Sequence, residues 1–398
     1  MHQIRPNVPD ALITEITETL ARWLPAGDAA LAPRDWGADE WLAAEWVTYV
    51  QNALPWLHQR VEQASVSMPA ASHASLSALN ALSRERTARM LDAAVELIQA
   101  LRAEGIRAVP FKGAALAPLY YADPLMRPLA DLDILVREND VRSGIAVLER
   151  LGYVYYSRSA EDFVYLRGER KSNIWHPDNV QPVELHFRIQ EEYAGLVYDL
   201  TDAVWSSAER RAYWKGSDAP VPSPPVLLQH LCAHTTSDWL IQRGKLMEIG
   251  DLQVVAPHLS ESEWQAFMAA MTAHGARFVY PALAVTARYA PGSIPDAALA
   301  ALRARVMSPV RVWSESLTLA GASESNPRPR SGIGLGIARL LARSRGERVR
   351  MWLRSFFPRR WNLVKRYPRL AASPLFPLCY VLINLDRARN MFRVRLAR

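Results

Sequence analysis

A chain of 398 residues, half of them apolar and 9% aromatic with 13 Trp, excludes intrinsic disorder and has the length for two or three domains. Its two cysteines, Cys232 and Cys379, lie far apart in sequence and match no disulfide framework or metal spacing, which points to a reducing compartment. The formal net charge of +7 excludes neither an acidic partner nor an acidic surface, and it is unevenly spread.

The start, Met1-His2-Gln3-Ile4-Arg5-Pro6, lacks the apolar core of a signal peptide. Residues 1–103 read as a helical region. Leu12, Ile13, Ile16, Leu20 and Leu24 recur at helical spacing. Asp39 to Val61 is rich in Trp, Ala and Leu, with Pro55 as a break. A long helix is expected from Ser75 to Ala103, with Gly105 as its C-terminal cap.

Residues 104–198 change period and read as a small α/β core with a mixed or antiparallel sheet. The fold class expected for the whole chain is therefore α+β, this core being flanked by helical regions on both sides. Strand segments are expected at Ile106–Phe111, Leu132–Val136, Tyr153–Tyr156, Phe163–Arg167, Ile174–His176 and Pro182–Arg188. Helices are expected over Ala114–Tyr121, opened by Gly113, and over Asp140–Leu151. In the last strand Val183, Leu185 and Phe187 alternate strictly with Glu184, His186 and Arg188, so one face is buried and the other chemical. Strands outnumber the helices between them, which disfavours a doubly wound dinucleotide-binding sheet.

Residues 199–320 read as helical again. Pro220, Pro222, Pro224 and Pro225 form a loop before a helix from Val226. Further helices are expected near Gly244–Val255, Glu261–Arg288 and Asp296–Val306. Residues 321–398 comprise a linker and a basic helical tail, amphipathic in places. From Pro327 to Arg398 there are 18 Lys and Arg against Glu347 and Asp386, a net +16 that leaves the remainder at −9. Its longest apolar stretch, Pro374–Leu385, is too short for a spanning helix of roughly 20 residues. An acidic partner, RNA, an anionic membrane or plain solvent would each suit such a tail. The expected location is the cytoplasm, with the inner face of the membrane open to the tail.

The chemistry centres on Asp131 and Asp133. On a strand, residues two apart point to one face, so the two carboxylates project together and Leu132 turns into the core. Buried without a partner, such charges cost several kcal/mol. A cation between them removes that cost, and Mg²⁺ is the usual oxygen-liganded choice. Phe111-Lys112-Gly113 lies just upstream, where a glycine at a helix start can admit a phosphate. A metal beside a phosphate turn suggests phosphoryl or nucleotidyl transfer.

The ordered motifs Lys112-Gly113, Arg127 to Val136 with Asp131-Leu132-Asp133, Gly152-Tyr153 and Val183-Glu184-Leu185-His186 resemble the DNA polymerase beta-like nucleotidyltransferase superfamily. More closely, they resemble its bacterial "uncharacterised nucleotidyltransferase" family. Leu227 to His234 and Gly250-Asp251-Leu252 extend the resemblance, which covers roughly residues 75–290. It implies two Mg²⁺ ions held by Asp131, Asp133 and Glu184, with Glu184 helping to deprotonate an acceptor hydroxyl. Lys112, Gly113, Arg127 and His186 are the implied nucleotide-binding residues. The implied activity moves a nucleoside monophosphate from an NTP to a hydroxyl or phosphate, releasing pyrophosphate. Small molecules or peptides of polysaccharide or peptide natural-product synthesis are the implied acceptors. One departure stands out: the superfamily's serine beside the glycine is replaced here by Ala114. Two other readings stay open: an inactive binding module docked through its basic tail on RNA, a membrane or a partner, and a transferase acting on tRNA.

Weaker signals surround this centre. His230 and His234 share a helix face, yet no Glu follows His230 as a zincin site requires, so packing or a substrate contact is the better reading. Asp251 would bond to that histidine face or cap a helix. Gly332-Ile333-Gly334-Leu335-Gly336 imitates a dinucleotide fingerprint but follows no strand.

Overall fold

The computed structural model describes residues 5–396 apart from 194, 324, 326–340 and 372. Four helices lead: α1 (Asp10–Ala26), α2 (Ala38–Val50), α3 (Leu54–Ala64) and α4 (Ala70–Ala103). Pro55 sits in the first turn of α3, where its missing N–H costs no helical bond. The sheet region follows with β1 (Val109–Pro110), α5 (Gly113–Tyr120), β2 (Leu132–Leu135), α6 (Val141–Arg150), β3 (Val154–Arg158), β4 (Asp162–Arg167) and β5 (Gln181–His186). Its strand order is β1-β2-β5-β4-β3. Only β2 and β5 run parallel; the other pairs are antiparallel, so the sheet is mixed as expected.

Alternation decides what each sheet face does. Leu132, Ile134, Val183 and Leu185 turn to one face and pack on Leu97 and Leu101 of α4 and Val147 and Leu148 of α6. That side is closed by apolar burial. The opposite face is left to Asp133, Glu184 and His186.

Three sequence expectations need correction. Ile174–His176 is a turn: the Asn173 side chain accepts from the Trp175 N–H, and the Trp175 indole is buried with its Nε1 on the Tyr49 carbonyl. An Asx turn has displaced the strand. The segment Ile106–Phe111 yields strand only at Val109–Pro110. Two short hairpins interrupt what reads as helix or loop, β6 (Gln190–Tyr193) with β7 (Leu196–Asp199) and β8 (Glu209–Ala212) with β9 (Asp218–Val221). Pro220 lies inside β9, which is an edge strand and tolerates a missing donor. The helical stretch expected over Glu261–Arg288 consists of two helices that meet at Met271-Thr272, where Thr272 caps the second.

The remaining chain is helical: α7 (Thr201–Ser207), α8 (Pro224–Leu240), α9 (Leu246–Val255), α10 (Glu261–Ala270), α11 (Ala273–Tyr289), α12 (Asp296–Arg305), α13 (Ser308–Ser316) and α14 (Leu319–Ala322). After the undescribed stretch come α15 (Arg345–Phe356), α16 (Arg360–Arg366), α17 (Pro368–Ala371) and α18 (Leu378–Leu396). The glycine fingerprint at 332–336 and most of the linker lie outside the described residues.

The largest core joins both ends of the chain. Ile13, Trp41 and Trp56 share one apolar cluster with Leu228, Phe278, Leu341 and Met351. Gly250 of α9 is a contact point: a Cβ there would lie 1.6 Å from Cη2 of the Trp56 indole. Gly250→Ala is expected to lower stability by about 1–3 kcal/mol, as overpacking against a rigid ring does. Chemical denaturation measures this.

α15 is fastened by a second device. Buried Arg277 forks onto Glu347, at 2.8 and 2.9 Å. Bonds from Arg277 hold the Glu347 carboxyl down at about 2 despite its partial desolvation. A folded-state pKa below the unfolded value of about 4.3 gives stability that is present above that value. It is lost as pH falls from about 5 toward 2. Thermal melts of wild type should therefore fall over this window by more than those of Glu347→Gln, whose profile lacks this component.

Candidate metal and nucleotide site

β2 and β5 build the site. Their parallel register sets Asp133 beside Glu184 and Leu135 beside His186. Asp133, Glu184 and His186 each offer a ligand atom, and these atoms all lie within 4.8 Å of one another. His186 Nε2 donates to Asp133 Oδ1 at 3.0 Å and lies 3.4 Å from Glu184 Oε2. Asp133 Oδ1 also accepts from Lys112 Nζ at 2.9 Å. Asp131 lies outside that ligand group, one residue before β2 begins, yet close enough to feel Asp133 and Glu184.

Lys112 ends the loop from β1 and precedes α5 with φ +47° and ψ −133°, a backbone conformation that residues other than glycine seldom adopt. Strain of this kind costs of order 1–3 kcal/mol and concentrates at functional sites. Here it aims the ammonium at Asp133 while leaving the backbone to enter α5. The superfamily's serine position is Ala114, fully buried, so no hydroxyl is offered there.

Charge in the cluster is unbalanced. Burial raises the Asp131 carboxyl, and the nearby Asp133 and Glu184 add to it, bringing it to about 6. Burial would likewise raise Asp133, but Lys112 and His186 outweigh it and hold this carboxyl far below the carboxylate range. Lys112 shows the mirror image: desolvation disfavours its charge, and Asp133, Glu184, Glu191 and Asp131 override that. Burial also opposes charge on His186, but bonds to Asp133 and Glu184 lift it to about 9. Three carboxylates thus crowd one ammonium and one imidazolium. An oxygen-rich set with surplus negative charge and a half-buried acid that resists ionisation is suited to a divalent cation.

Arg127 is placed differently from expectation. Its Nη2 and Nε donate to Asp251 at 2.8 and 3.2 Å, and its Nη1 donates to the Pro128 carbonyl. Tyr121 donates to the same Asp251 at 2.7 Å. Asp251 is therefore bound to the arginine and not to the histidine face. A Cβ on residue 113 would meet Arg127 Nη1 at 2.1 Å, so Gly113 is required by this arginine whatever else approaches it.

The sequence reading misses Glu191 and Lys245. Glu191, on the short β6, accepts from His234 Nδ1 at 3.0 Å and lies 3.8 Å from His230 Nε2. Despite burial, His234, His230 and Lys112 draw its carboxyl down to about 2. Phe111 is packed edge-on against both His186 and His230, which ties this group to the site. The helix-face pairing of His230 and His234 was the available signal; their acidic partner was not, because a four-residue strand carries little pattern. Lys245, at the N-terminal cap of α9, contributes to the field on Asp131.

A mixed sheet with an acidic face, entered from a Lys-Gly helix start and flanked by helices, is the architecture of a nucleotidyltransferase-like protein. The family described as "uncharacterised nucleotidyltransferase" matches residues 38–291, and the chain belongs to it. No curated protein matches the sequence with significance.

Proposed function

We propose that the protein transfers a nucleoside monophosphate from an NTP to a hydroxyl or phosphate acceptor and releases pyrophosphate. The observation that carries this reading is the convergence of Asp133, Glu184 and His186 beside Lys112 and Asp131, in a chain of this family. Asp131, Asp133 and Glu184 would hold Mg²⁺, two ions on the superfamily resemblance, which supplies charge neutralisation along the triphosphate when bound. Lys112, released from Asp133, would pair with a phosphate oxygen at the start of α5, where backbone N–H groups also favour an anion. Glu184, the most exposed of the three metal-site residues in the Asp133–Glu184–His186 group, would accept the proton of the acceptor hydroxyl. His186 would orient Glu184 and Asp133 and reach the nucleotide or acceptor. Arg127 serves as a positioning residue that holds the Gly113 turn through Asp251. A small molecule or a peptide of natural-product or polysaccharide synthesis is the acceptor class proposed.

The test is incubation with labelled NTPs, Mg²⁺ and candidate acceptors. Label transfer and pyrophosphate release by wild type, absent in Asp131→Ala/Asp133→Ala, support the reading; equal turnover by both sinks it. A second reading, a non-catalytic module of the same fold, is favoured by one observation: Asp133 already has two cationic partners of its own. Calorimetry separates the two, since a non-catalytic module that binds no Mg-NTP at millimolar nucleotide gives no heat.

A further inference from the structure

Of the 18 large apolar side chains recorded as exposed among the described residues, 11 lie between Val349 and Leu385. They are not scattered. On α15, Val349, Trp352, Leu353 and Phe356 are 39–55% exposed and follow the i, i+3, i+4, i+7 spacing of one helix face. On α18, Leu378, Val381, Leu382 and Leu385 repeat that spacing at 40–60% exposed. Each helix buries its other side: Met351 enters the main core, and Cys379 and Ile383 pack on Leu363. The stripes are thus left over after the tail has folded onto the body. The two helices meet where Asn384 Nδ2 donates to the Phe356 carbonyl and Phe357 packs edge-on against Tyr380.

The exposed charges along these helices are mostly basic. Arg345, Arg348, Arg350, Arg369 and Arg389 are exposed. The only acids from Pro327 onward are Glu347 and Asp386. Glu347 is held by Arg277, and Asp386 by Arg366 and Tyr367. Arg354 and Arg359 reach back to Glu192 on β6 and pin the tail to the body.

We infer that α15 and α18 form a docking surface for an anionic lipid bilayer, on which the protein lies without crossing. Aliphatic and aromatic side chains on one helix face with arginines beside them are the make-up of interfacial helices. Basic residues gain near an anionic leaflet. No described helix is long and apolar enough to cross a membrane. RNA would use the arginines and the rings, but Leu378, Val381, Leu382 and Leu385 would have no role on it. The surface is separate from the carboxylate cluster, so its test needs no nucleotide.

The experiment is co-sedimentation of the full chain with vesicles of phosphatidylcholine alone and of phosphatidylcholine with phosphatidylglycerol. The partition coefficient is expected to be more than about tenfold higher on the anionic vesicles. Trp352→Glu and Leu382→Glu should each lower it by about tenfold or more, with unchanged thermal unfolding. Arg345→Glu/Arg348→Glu should lower it and leave the residual binding less sensitive to salt. Leu42→Glu, on an exposed position of α2, should have no effect. Absence of vesicle binding overturns the inference. So does binding that ignores both stripe substitutions, salt-sensitive RNA binding in its place, or self-association through the stripes in light scattering.

Discussion

Asp133→Ala is expected to reduce nucleotidyl transfer by about 10³-fold or more, the equivalent of roughly 4 kcal/mol in the barrier. Asp133 lies at the junction of the site: its Oδ1 takes bonds from both Lys112 and His186, and its register partner is Glu184. The substitution removes a proposed metal ligand and leaves two buried cations facing each other. Lys112 then repels an imidazolium that Asp133 no longer balances, so the His186 pKa should fall from about 9, which NMR titration of its ring protons would register. Asp133→Asn separates charge from shape. It keeps a hydrogen-bond acceptor for Lys112 and should retain the fold while losing activity nearly as fully as alanine. Activity retained by Asp133→Asn within a factor of ten would remove this residue from the metal set. Asp131→Asn should be milder in its structural effect, since no cation is bonded to that carboxyl in the cluster and burial already opposes its charge.

Asp251→Ala should be the most destabilising single change at the site, by about 3–5 kcal/mol. The Arg127–Asp251 pair is largely buried, with side-chain exposures of 14% and 5%. Breaking it strands a guanidinium and the Tyr121 hydroxyl at once. For a chain of this size the loss corresponds to roughly 4–6 °C in melting temperature. Asp251→Asn, which can still accept from Tyr121 and Arg127, should lose less. The double variant Arg127→Met/Asp251→Leu should recover much of the deficit, because the cost comes from the unpaired charge rather than from the pair's absence. A double variant as unstable as Asp251→Ala would refute that account. Arg127→Lys adds the functional half: loss of the fork should loosen the Gly113 turn and raise KM for the NTP more than it lowers kcat.

The core of this site was readable because its signals are local. Val183, Leu185 and Phe187 alternate with Glu184, His186 and Arg188 over one strand, and the structure buries the first three. Asp131-Leu132-Asp133 gave the neighbouring strand and its buried Leu132 in the same way. Arg127 shows the limit: its motif marks it for a phosphate, while the partner it bonds, Asp251, lies 124 residues on, in helix α9. No periodicity reports such a pair. Ile174-Trp175-His176 has strand-like composition, yet the Asn173 side chain offers the backbone a turn that Tyr49 then fixes. The hairpins β6–β7 and β8–β9 escaped because four-residue strands complete barely two cycles of alternation.

The shared core of the outer helices has a consequence for synthesis. Ile13, Trp41 and Trp56 bury themselves against Leu228 and Phe278, residues that leave the ribosome long after them. At roughly 5–20 residues per second, the first helices wait on the order of ten seconds with their indoles uncovered. The intervening sheet, whose apolar face closes on α4 and α6, can complete itself within that interval from contacts already translated. Folding during synthesis is therefore expected to begin at the sheet in the middle of the chain, with the outer helices closing last.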